Sequence, residues 1–317
     1  MKYREFGNSG ISVSEVGFGS WAIGGNEHGN SYGYTDDKVS AEAIERALEL
    51  GCNFFDTADV YGLGHSEELL GKALKAHRHN VVIATKVGAD FYGGAGHQDF
   101  TDKYIRYAID KSLTRLKTDY IDVYQLHNPP LKLIEQPETY QIFDELKREG
   151  KIRTWGLSIF DPIEGLVALK SGRPDCLQLV YNIFSQKAAE ELLQRAREAN
   201  CAVIAREPLA NGFLTGKYQG DSSFESGDIR HAWPRNFIQA RTLAAERLRS
   251  TMPGSRLSLA QLALRFVLAC EAVSVVIPGI KTADQAEENL TASDLPALNQ
   301  AELAQINELL KSNFGLH

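Results

Sequence analysis

Apolar runs rich in β-branched and aromatic residues alternate with amphipathic helical patterns along the chain. The helical patterns, such as those at 40–51, 102–117 and 188–200, place apolar residues three and four positions apart. Nearly continuous apolar strands separated by helices are typical of a parallel sheet, so each run with its helix is predicted to be one βα unit. The eight runs are 14–20, 52–58, 81–87, 120–127, 152–158, 176–182, 202–207 and 273–279.

Eight βα units predict an α/β protein with a (β/α)8 barrel, the TIM-barrel fold. A doubly wound open sheet is the alternative, and both the count of eight and the even composition disfavour it. No linker interrupts the pattern, so residues 1–317 are predicted to form a single domain. We expect Gly51, Gly71 and Gly150 to end helices, because glycine often follows the last helical residue.

Three segments depart from the repeat. The N-terminal sequence KYREFGNSGISVSEVG alternates around the turn GNSG, which predicts a β-hairpin that caps the bottom of the barrel. The loop 88–100 after the third strand is rich in glycine, and the connection 208–237 after the seventh strand is the longest. Both follow the carboxyl end of a strand, where barrels carry their active sites, so a functional role is expected for them.

Charge and composition exclude several classes of protein. A formal net charge of -7 argues against binding to nucleic acid or to an anionic membrane surface. Because there is neither a signal peptide nor a run of about eighteen apolar residues, a cytoplasmic protein is expected. Nothing in the sequence distinguishes a monomer from a homo-oligomer.

The cysteines and histidines predict neither disulfides nor a metal site. No Cys-X-X-Cys spacing occurs, and each cysteine lies beside or within an apolar segment, so buried free thiols are expected. His77 and His79, in the charged sequence KAHRHN, fit a solvated loop better than a metal site. The cysteines are Cys52, Cys176, Cys201 and Cys270.

Two glycine-rich sequences resemble nucleotide-binding motifs without meeting their requirements. GFGSWA at 17–22 nearly matches the dinucleotide fingerprint, but a glycine-rich loop follows it where the fingerprint requires a helix. GFLTGK at 212–217 lacks the full spacing of a phosphate loop and the hydroxyl residue after the lysine. Neither a Rossmann domain nor a Walker motif is therefore predicted.

Four polar residues are predicted to meet at one rim of the barrel. Asp56, Lys86 and His127 fall at or just beyond the ends of the second, third and fourth strands. Tyr61 lies in the loop after the second strand. Each alone is compatible with a structural role, such as capping or rim packing. Together they indicate function, because charged residues that end apolar strands must be paired or functional.

These four residues supply a general acid but neither a metal site nor a nucleophile. A tyrosine hydroxyl has a reference pKa of about 10. We expect the Lys86 ammonium, held by Asp56, to stabilise the phenolate of Tyr61 and to lower its pKa. A neutral His127 would donate a hydrogen bond to a substrate carbonyl. The reducing electron pair must then come from elsewhere, which implies a nicotinamide cofactor.

Six motifs resemble, in order and spacing, those of the aldo-keto reductase superfamily over essentially the whole chain: FDTADVYG, ATKV, LHNP, GLS, PLANGFLTGKY and IPGIKTADQAEENL. The opening sequence is similar to the bacterial, stress-associated branches. The resemblance implies a catalytic tetrad of Asp56, Tyr61, Lys86 and His127, with Tyr61 as the proton donor when aldehydes and ketones are reduced. It also implies that NADP(H) binds in an extended pose across the barrel mouth.

The same resemblance implies which residues bind that cofactor. Ser158 and Gln178 would contact the carboxamide, and the backbone of loop 208–217 would embrace the pyrophosphate. The start of the last barrel helix, with Lys281, would form an anion site for an adenosine 2'-phosphate. The implied residues are Ser20, Trp21, Ser158, Gln178, Arg206, Pro208, Leu209, Gly212, Leu214, Lys217, Gly279, Lys281, Thr282, Gln285, Glu288 and Asn289.

Three positions depart from the family pattern. Ile159 stands where an asparagine is common, which puts one hydrogen bond to the carboxamide in question. Arg206 stands where an aromatic ring commonly stacks on the nicotinamide; a guanidinium plane can also stack, or it can pair with Glu207. Gln285 stands where many members carry arginine, so the expected preference for NADPH is weaker than with two cations.

The substrate pocket is predicted to be aromatic, with walls from Trp21, Phe91, Tyr92 and Trp233. Such a pocket favours small or medium aldehydes and ketones over highly charged substrates. Two other functions stay open. One is a nicotinamide-sensing regulatory subunit similar to potassium-channel β-subunits. The other is a Schiff-base aldolase that uses Lys86, which an ammonium held by Asp56 argues against.

Overall fold

The computed structural model describes residues 1–25, 27, 31–92, 96–170, 174–252 and 256–316. Within them, eight parallel strands form the central sheet in chain order, and parallel bridges from Val16 to Val276 and from Gly19 to Gly279 close the ring. The predicted (β/α)8 barrel is confirmed. The strands are β1 Tyr3–Glu5, β2 Ser12–Ser14, β3 Phe18–Gly19, β4 Phe54–Asp56, β5 Val82–Val87, β6 Ala89–Asp90, β7 His97–Gln98, β8 Ile121–His127, β9 Ile152–Ser158, β10 Cys176–Val180, β11 Ala202–Arg206 and β12 Val275–Ile277.

Helices surround the sheet, and a large cluster of buried apolar side chains lies between the two layers. Polar side chains begin several helices: Asp36 caps the first, Thr101 the third, and Ser258 forms a capping box with Gln261. The helices are α1 Asp37–Glu49, α2 His65–Ala73, α3 Asp102–Leu116, α4 Leu131–Ile134, α5 Gln141–Arg148, α6 Pro162–Lys170, α7 Leu192–Glu198, α8 Arg235–Thr251, α9 Leu259–Leu268, α10 Ala283–Leu290 and α11 Gln300–Lys311.

Gly71 lies inside α2 rather than after it, so its prediction as a helix end is wrong. A Cβ atom at this position would lie 2.2 Å from the backbone oxygen of Arg115 and 2.6 Å from the Cα of Leu116. The glycine therefore serves the close approach of α2 to α3. Gly51 and Gly150 do follow their helices, with positive φ angles of 83° and 74°.

The N-terminal hairpin closes the bottom of the barrel, as predicted. Strands β1 and β2 pair in antiparallel fashion. Phe6, Ile11 and Val13 are buried in one cluster with barrel-interior side chains, and the ring of Phe6 lies 5.9 Å from that of Phe54. Apolar side chains of the hairpin thus fill the lower end of the barrel, which leaves the upper end for chemistry.

Two long loops border the upper end. The connection after β11 contains 3-10 helices at Ala210–Thr215 and Ile229–Ala232, and Asp228 pairs with Tyr32 of the loop after β3. The loop after β5 carries the short antiparallel pair of β6 and β7. Parts of the two glycine-rich loops, residues 26, 28–30 and 93–95, lie outside the described residues.

All four cysteines are free thiols, and three are buried while Cys270 is only partly so. His77 and His79 are exposed, in a 3-10 turn rather than an irregular loop. Across the described residues, no helix has the length and apolar character needed to cross a membrane. The same residues contain no cluster of three side chains suited to hold a metal ion.

Candidate active site

A buried ammonium forms the centre of the site. Lys86, near the carboxyl end of β5, has no exposed surface. Its Nζ donates to Asp56 Oδ1 and to the backbone oxygen of Thr57, both at 2.7 Å, and to Tyr61 Oη at 3.2 Å. The second oxygen of Asp56 accepts from Gln178 Nε2 at 2.7 Å. Three acceptors satisfy the three donors of an ammonium, which offsets the cost of its burial.

The alternation of β5 directs Lys86 into the barrel. Val82 and Ala84 belong to the interior cluster, whereas Ile83 and Val87 pack toward the helices. Lys86 continues the interior series because side chains alternate along a strand. Asp56 is the last residue of the neighbouring strand β4, and its Cα pairs with that of Ala84 in β5. The two opposite charges therefore meet at one level inside the barrel.

A glycine turn brings Tyr61 to the ammonium. Tyr61 begins a 3-10 turn in which Gly62 has a φ angle of 59°. A Cβ atom on Gly62 would lie 2.1 Å from the backbone oxygen of Gly24, so only glycine fits here. This close approach places the Trp21 ring 6.2 Å from the Tyr61 ring. The indole therefore lies beside the phenol.

His127 completes the group from the end of β8. Its ring lies 5.9 Å from that of Tyr61, at an interplanar angle of 79°. The pKa of His127 lies well below its ordinary value, first because the ring is buried and then because Lys86 and Arg206 are positively charged. The imidazole is therefore neutral at physiological pH and can donate a hydrogen bond without carrying charge.

Burial raises the net pKa of Tyr61, although the Lys86 ammonium acts to lower it as expected. Burial is the largest influence and disfavours the phenolate, while the Lys86 ammonium acts in the opposite direction. Burial also disfavours the charge of Lys86, but Asp56 and Tyr61 more than offset it, so the Lys86 pKa is raised. The resting site thus holds a neutral phenol beside a charged ammonium, which is the protonation state of a proton donor.

Comparisons with known proteins identify the family. The profile of the aldo/keto reductase family matches residues 15–311. The chain belongs to the aldo/keto reductase family. Aldo-keto reductase YhdN of Bacillus subtilis is 35% identical over 99% of this chain and 95% of its own. A probable voltage-gated potassium channel subunit beta of Arabidopsis thaliana is 30% identical over 98% of this chain and 97% of its own.

A solved structure agrees over nearly the whole chain. The holo form of aldo-keto reductase AKR11C1 from Bacillus halodurans superposes with a TM-score of 0.81 at 33% identity, covering 98% of this chain and 96% of that one. The predicted likeness to the superfamily and to its bacterial members is confirmed. Aldo/keto reductases are oxidoreductases that work with a nicotinamide cofactor.

Three predicted cofactor-binding residues, Ser20, Ser158 and Gln178, lie around the tetrad, although Ser20 and Gln178 are engaged with protein groups. Gln178 donates its amide nitrogen to Asp56, as described above. The Ser20 hydroxyl is buried and accepts from Ser66 Oγ of α2 at 2.8 Å. Ser158 is buried at the end of β9, where its Cα pairs with those of His127 and Gln178.

Arg206 is the last residue of β11. It forms an ion pair with Glu207, which was one of the two contacts predicted for it, the other being stacking on the nicotinamide. Its Nη2 also donates to the backbone oxygen of Ile159 at 3.2 Å. The Nε atom is buried and has no hydrogen-bond partner among the described residues. The backbone oxygen of Ile159 thus accepts a hydrogen bond from Arg206, and the side chain of Ile159 is fully buried.

The predicted pyrophosphate loop folds back on itself after β11. Pro208, Leu209 and Leu214 are buried, and Leu209 and Leu214 belong to the outer apolar cluster. Gly212 has a φ angle of 90°, and a Cβ there would lie 3.1 Å from Arg230 Nη1. The side chains of Tyr218 and Arg230 therefore lie close against the backbone of Gly212. Lys217 is exposed at the end of the loop.

The start of α10 holds the residues that were predicted to form an anion site. Thr282 caps the helix by accepting from the Gln285 amide, and the Gln285 side chain accepts from the Lys281 amide at 2.9 Å. Gly279, at the barrel seam, has no atom within 4 Å of its would-be Cβ. Glu288 is exposed, whereas Asn289 is only 3% exposed and presents little surface to a cofactor.

Three cations gather between the loop after β11 and α10. The pKa of Lys281 is lowered, first by burial, and the charges of Arg230 and Lys217 lower it further while Asp228 opposes them. Lys281 Nζ donates to the backbone oxygen of Tyr32 at 2.9 Å. Because Asp228 pairs with Arg230, the net positive charge here comes from Lys281 and Lys217. With the open space at Gly279, these two cations would suit the phosphates of a dinucleotide, which an otherwise acidic protein would repel.

Sequence reasoning missed Tyr32 and Arg230. The Tyr32 hydroxyl donates to Asn211 Oδ1, and Arg230 donates to the Asn211 backbone oxygen at 2.9 Å and to Asp228. The guanidinium also lies over the rings of Tyr32, Tyr218 and Phe224. The only signal in the sequence was an arginine among aromatic residues in a long loop. These contacts tie the two loops together over the barrel rim.

The predicted aromatic pocket is only partly assembled. Trp21 lies beside Tyr61, but Tyr92 packs against Tyr104 and Tyr107 of α3 and accepts a hydrogen bond from Arg115. Phe91 stacks on Tyr92. Trp233 stacks on Phe213 and lines a separate small cavity with Asn182, Phe184 and Arg241. Of the four aromatic residues, Trp21 is thus the one in ring contact with the tetrad.

Proposed function

We propose that this aldo/keto reductase reduces aldehydes and ketones to alcohols with NADPH. One observation carries the proposal: the Lys86 ammonium bridges Asp56 and Tyr61 inside the barrel mouth, with a neutral His127 next to the phenol. This arrangement supplies a proton donor and a hydrogen-bond donor for a carbonyl oxygen. It supplies no electrons, so the reduction depends on the cofactor.

The residues of the chain manage the proton and the charge. Tyr61 donates its proton to the carbonyl oxygen, and Lys86 stabilises the phenolate that remains. Asp56, fixed by Gln178, keeps Lys86 charged. Neutral His127 orients the carbonyl and stabilises the negative charge that develops on its oxygen. NADPH, when bound, supplies the hydride.

The preference for NADPH over NADH is part of the proposal and rests on the cations. The 2'-phosphate is the group that distinguishes NADPH from NADH, and Lys281 beside the N-terminus of α10 suits such an anion. Lys217 adds positive charge nearby, whereas the charge of Arg230 is offset by its ion pair with Asp228. Gln285 contributes no charge, so the two affinities are expected to differ by about ten-fold rather than by several hundred-fold.

The test is NADPH oxidation with a panel of small and medium aldehydes and ketones. Tyr61→Phe should lower kcat/KM by at least about 100-fold, because general acid catalysis contributes about that much. The affinity for NADPH, measured by quenching of intrinsic fluorescence, should change little. The matched control is Tyr34→Phe, which removes a hydroxyl from a tyrosine that is 70% exposed. Unchanged turnover in Tyr61→Phe would refute the assignment.

A regulatory subunit is the second candidate, supported by the likeness to the Arabidopsis channel subunit. Tight NADPH binding without turnover of any carbonyl in the panel would favour it over the reductase. A Schiff-base aldolase is disfavoured because its lysine must be a neutral amine to attack a carbonyl. Burial alone would favour the neutral amine of Lys86, but Asp56 and Tyr61 raise its pKa above the ordinary value, so the ammonium persists.

A further inference from the structure

Arg206 is a second fixed cation in the active site. It is the last residue of β11, and its Cα pairs with that of Val180 on one side and Ile277 on the other. Burial is the largest influence on the pKa values of Tyr61 and His127, but Arg206 lowers both. Its Nη2 donates to the backbone oxygen of Ile159, which directly follows Ser158, and the Cα of Ser158 pairs with that of His127. The guanidinium thus lies on the same rim as the two residues that would contact the carbonyl.

The contacts of Arg206 hold it in place. Nη1 pairs with Glu207 and Nη2 donates to the Ile159 backbone oxygen. Glu207 is itself fixed: its other carboxylate oxygen accepts from Asn211 Nδ2 at 3.1 Å, and its backbone oxygen accepts from Asn182 Nδ2 at 2.8 Å. Glu207 also adopts a φ angle of 54°, which a non-glycine residue keeps only when its surroundings impose it.

This arrangement favours a fixed charge over a clamp for a substrate carboxylate. A clamp uses several free guanidinium donors, whereas the Nε of Arg206 is buried and each terminal nitrogen already gives one of its two N–H groups to a protein oxygen. The Phe160 ring lies 5.4 Å from the guanidinium carbon. Turning Arg206 toward a substrate would break the Glu207 pair inside a partly buried region, which is costly.

We propose that Arg206 weakens the binding of oxidised cofactor relative to reduced cofactor. The inference rests on the proposed function. The oxidised nicotinamide ring carries a positive charge that the reduced ring lacks, while the phosphates are the same in both forms. Arg206 stands where members of the family commonly stack an aromatic ring on the nicotinamide, so its charge would destabilise only the oxidised form. Glu207 attenuates this effect because it bears the opposite charge.

The test compares dissociation constants by equilibrium titration rather than by turnover. The Kd values for NADP+ and NADPH are measured for the wild type, Arg206→Gln and Glu207→Gln. In Arg206→Gln the ratio of the NADP+ Kd to the NADPH Kd should fall about ten-fold. In Glu207→Gln, which leaves the arginine charge uncompensated, the same ratio should rise. A change of charge predicts that the Kd ratio shifts in opposite directions in the two variants. A structural disturbance common to both variants would shift the ratio in the same direction.

Two controls keep the test decisive. Arg206→Lys retains the charge and should retain a ratio close to that of the wild type. Arg197→Gln removes an arginine from the exposed pair with Glu271 and should leave the ratio unchanged. Should Arg206→Gln fail to fold, Glu207→Gln decides alone, since a ratio that falls or stays constant there overturns the inference.

The outcomes separate this inference from the proposed function. If both forms bind and both constants change equally in Arg206→Gln, the electrostatic role of Arg206 is refuted while the reductase proposal stands. If the wild type binds neither form, the proposed function itself fails. A lower ratio in Arg206→Gln with a higher ratio in Glu207→Gln supports both.

Discussion

At the scale of single residues, the site depends on charges that are buried together. Lys86→Met would leave the Asp56 carboxylate buried with Gln178 as its remaining side-chain partner. Removing one member of a buried pair costs about 3–5 kcal/mol, so we expect a loss of that size in the free energy of unfolding. Urea unfolding measures it.

A second variant separates lost charge from lost packing. Combining Lys86→Met with Asp56→Asn removes both charges, so part of the lost stability should return. If the double variant is as unstable as the sum of the two single variants, then the ion pair is not what stabilises this region.

The buried carboxyl group of Asp59 gives a second prediction, on how the stability of the fold depends on pH. The Asp59 side chain has no exposed surface, and no side chain among the described residues donates a hydrogen bond to either carboxylate oxygen. Its pKa lies well above the ordinary value, chiefly because of burial and then because of Glu67; Arg115 and Lys86 act in the opposite direction. The folded chain therefore keeps a proton that the unfolded chain releases.

The sign of the pH dependence follows. The unfolded pKa is about 3.9, so from about pH 4 upward folding must retain this proton, and stability falls until the folded pKa is reached. Asp59→Asn removes this contribution. Its stability relative to the wild type should therefore rise with pH by up to about 1.4 kcal/mol per unit. A difference in unfolding free energy between Asp59→Asn and the wild type that stays constant from about pH 5 to about pH 8 would contradict this. The control is Asp221→Asn, at an exposed position.

Residue roles could be predicted where position along a strand determines them. The sequence placed Asp56 and Lys86 at strand ends, and the structure joins them. The direction of the Tyr61 pKa could not be predicted, because it depends on how far burial outweighs a neighbouring ammonium. The bond from Gln178 to Asp56 joins strands far apart in the sequence, which no local pattern reveals.

At the scale of elements, the hairpin of β1 and β2 should matter for stability and not for chemistry. Phe6 is fully buried in the interior cluster. Phe6→Ala should lower the free energy of unfolding by about 3–5 kcal/mol because it opens a cavity. The kcat of the folded enzyme should stay within about two-fold of the wild type, since the hairpin closes the end opposite to Lys86. Tyr3→Ala, at a side chain that is 50% exposed, is the matched control.

Long periodic elements were predictable and short ones were not. The helical patterns at 40–51 and 102–117 correspond to α1 and α3, because several turns of spaced apolar residues give a clear signal. The pattern at 188–200 became a 3-10 turn at Lys187–Ala189 followed by the shorter α7. Strands β6 and β7 have two residues each, too few for any periodicity. Gly71 was wrongly predicted to end a helix because close packing between helices and helix ends both favour glycine.

At the scale of the whole molecule, an acidic protein presents a local cationic group to its cofactor. Raising the salt concentration from about 0.05 M to about 0.5 M should weaken NADPH binding more than NADH binding, because screening acts on the additional phosphate. Lys281→Gln should reduce the difference between the two salt dependences. Titrations of intrinsic fluorescence would show this, and equal salt dependence for both cofactors in the wild type would contradict it.

The seam of the barrel joins its first strand to its last, since Val16 and Gly19 bridge to Val276 and Gly279. During synthesis, a ribosome releases the first barrel strand more than 250 residues before the last one emerges. Throughout that interval the sheet of the nascent chain has an edge strand with unpaired backbone groups, which can pair with other chains. Ring closure is thus among the final events of biogenesis, and premature termination leaves an aggregation-prone edge.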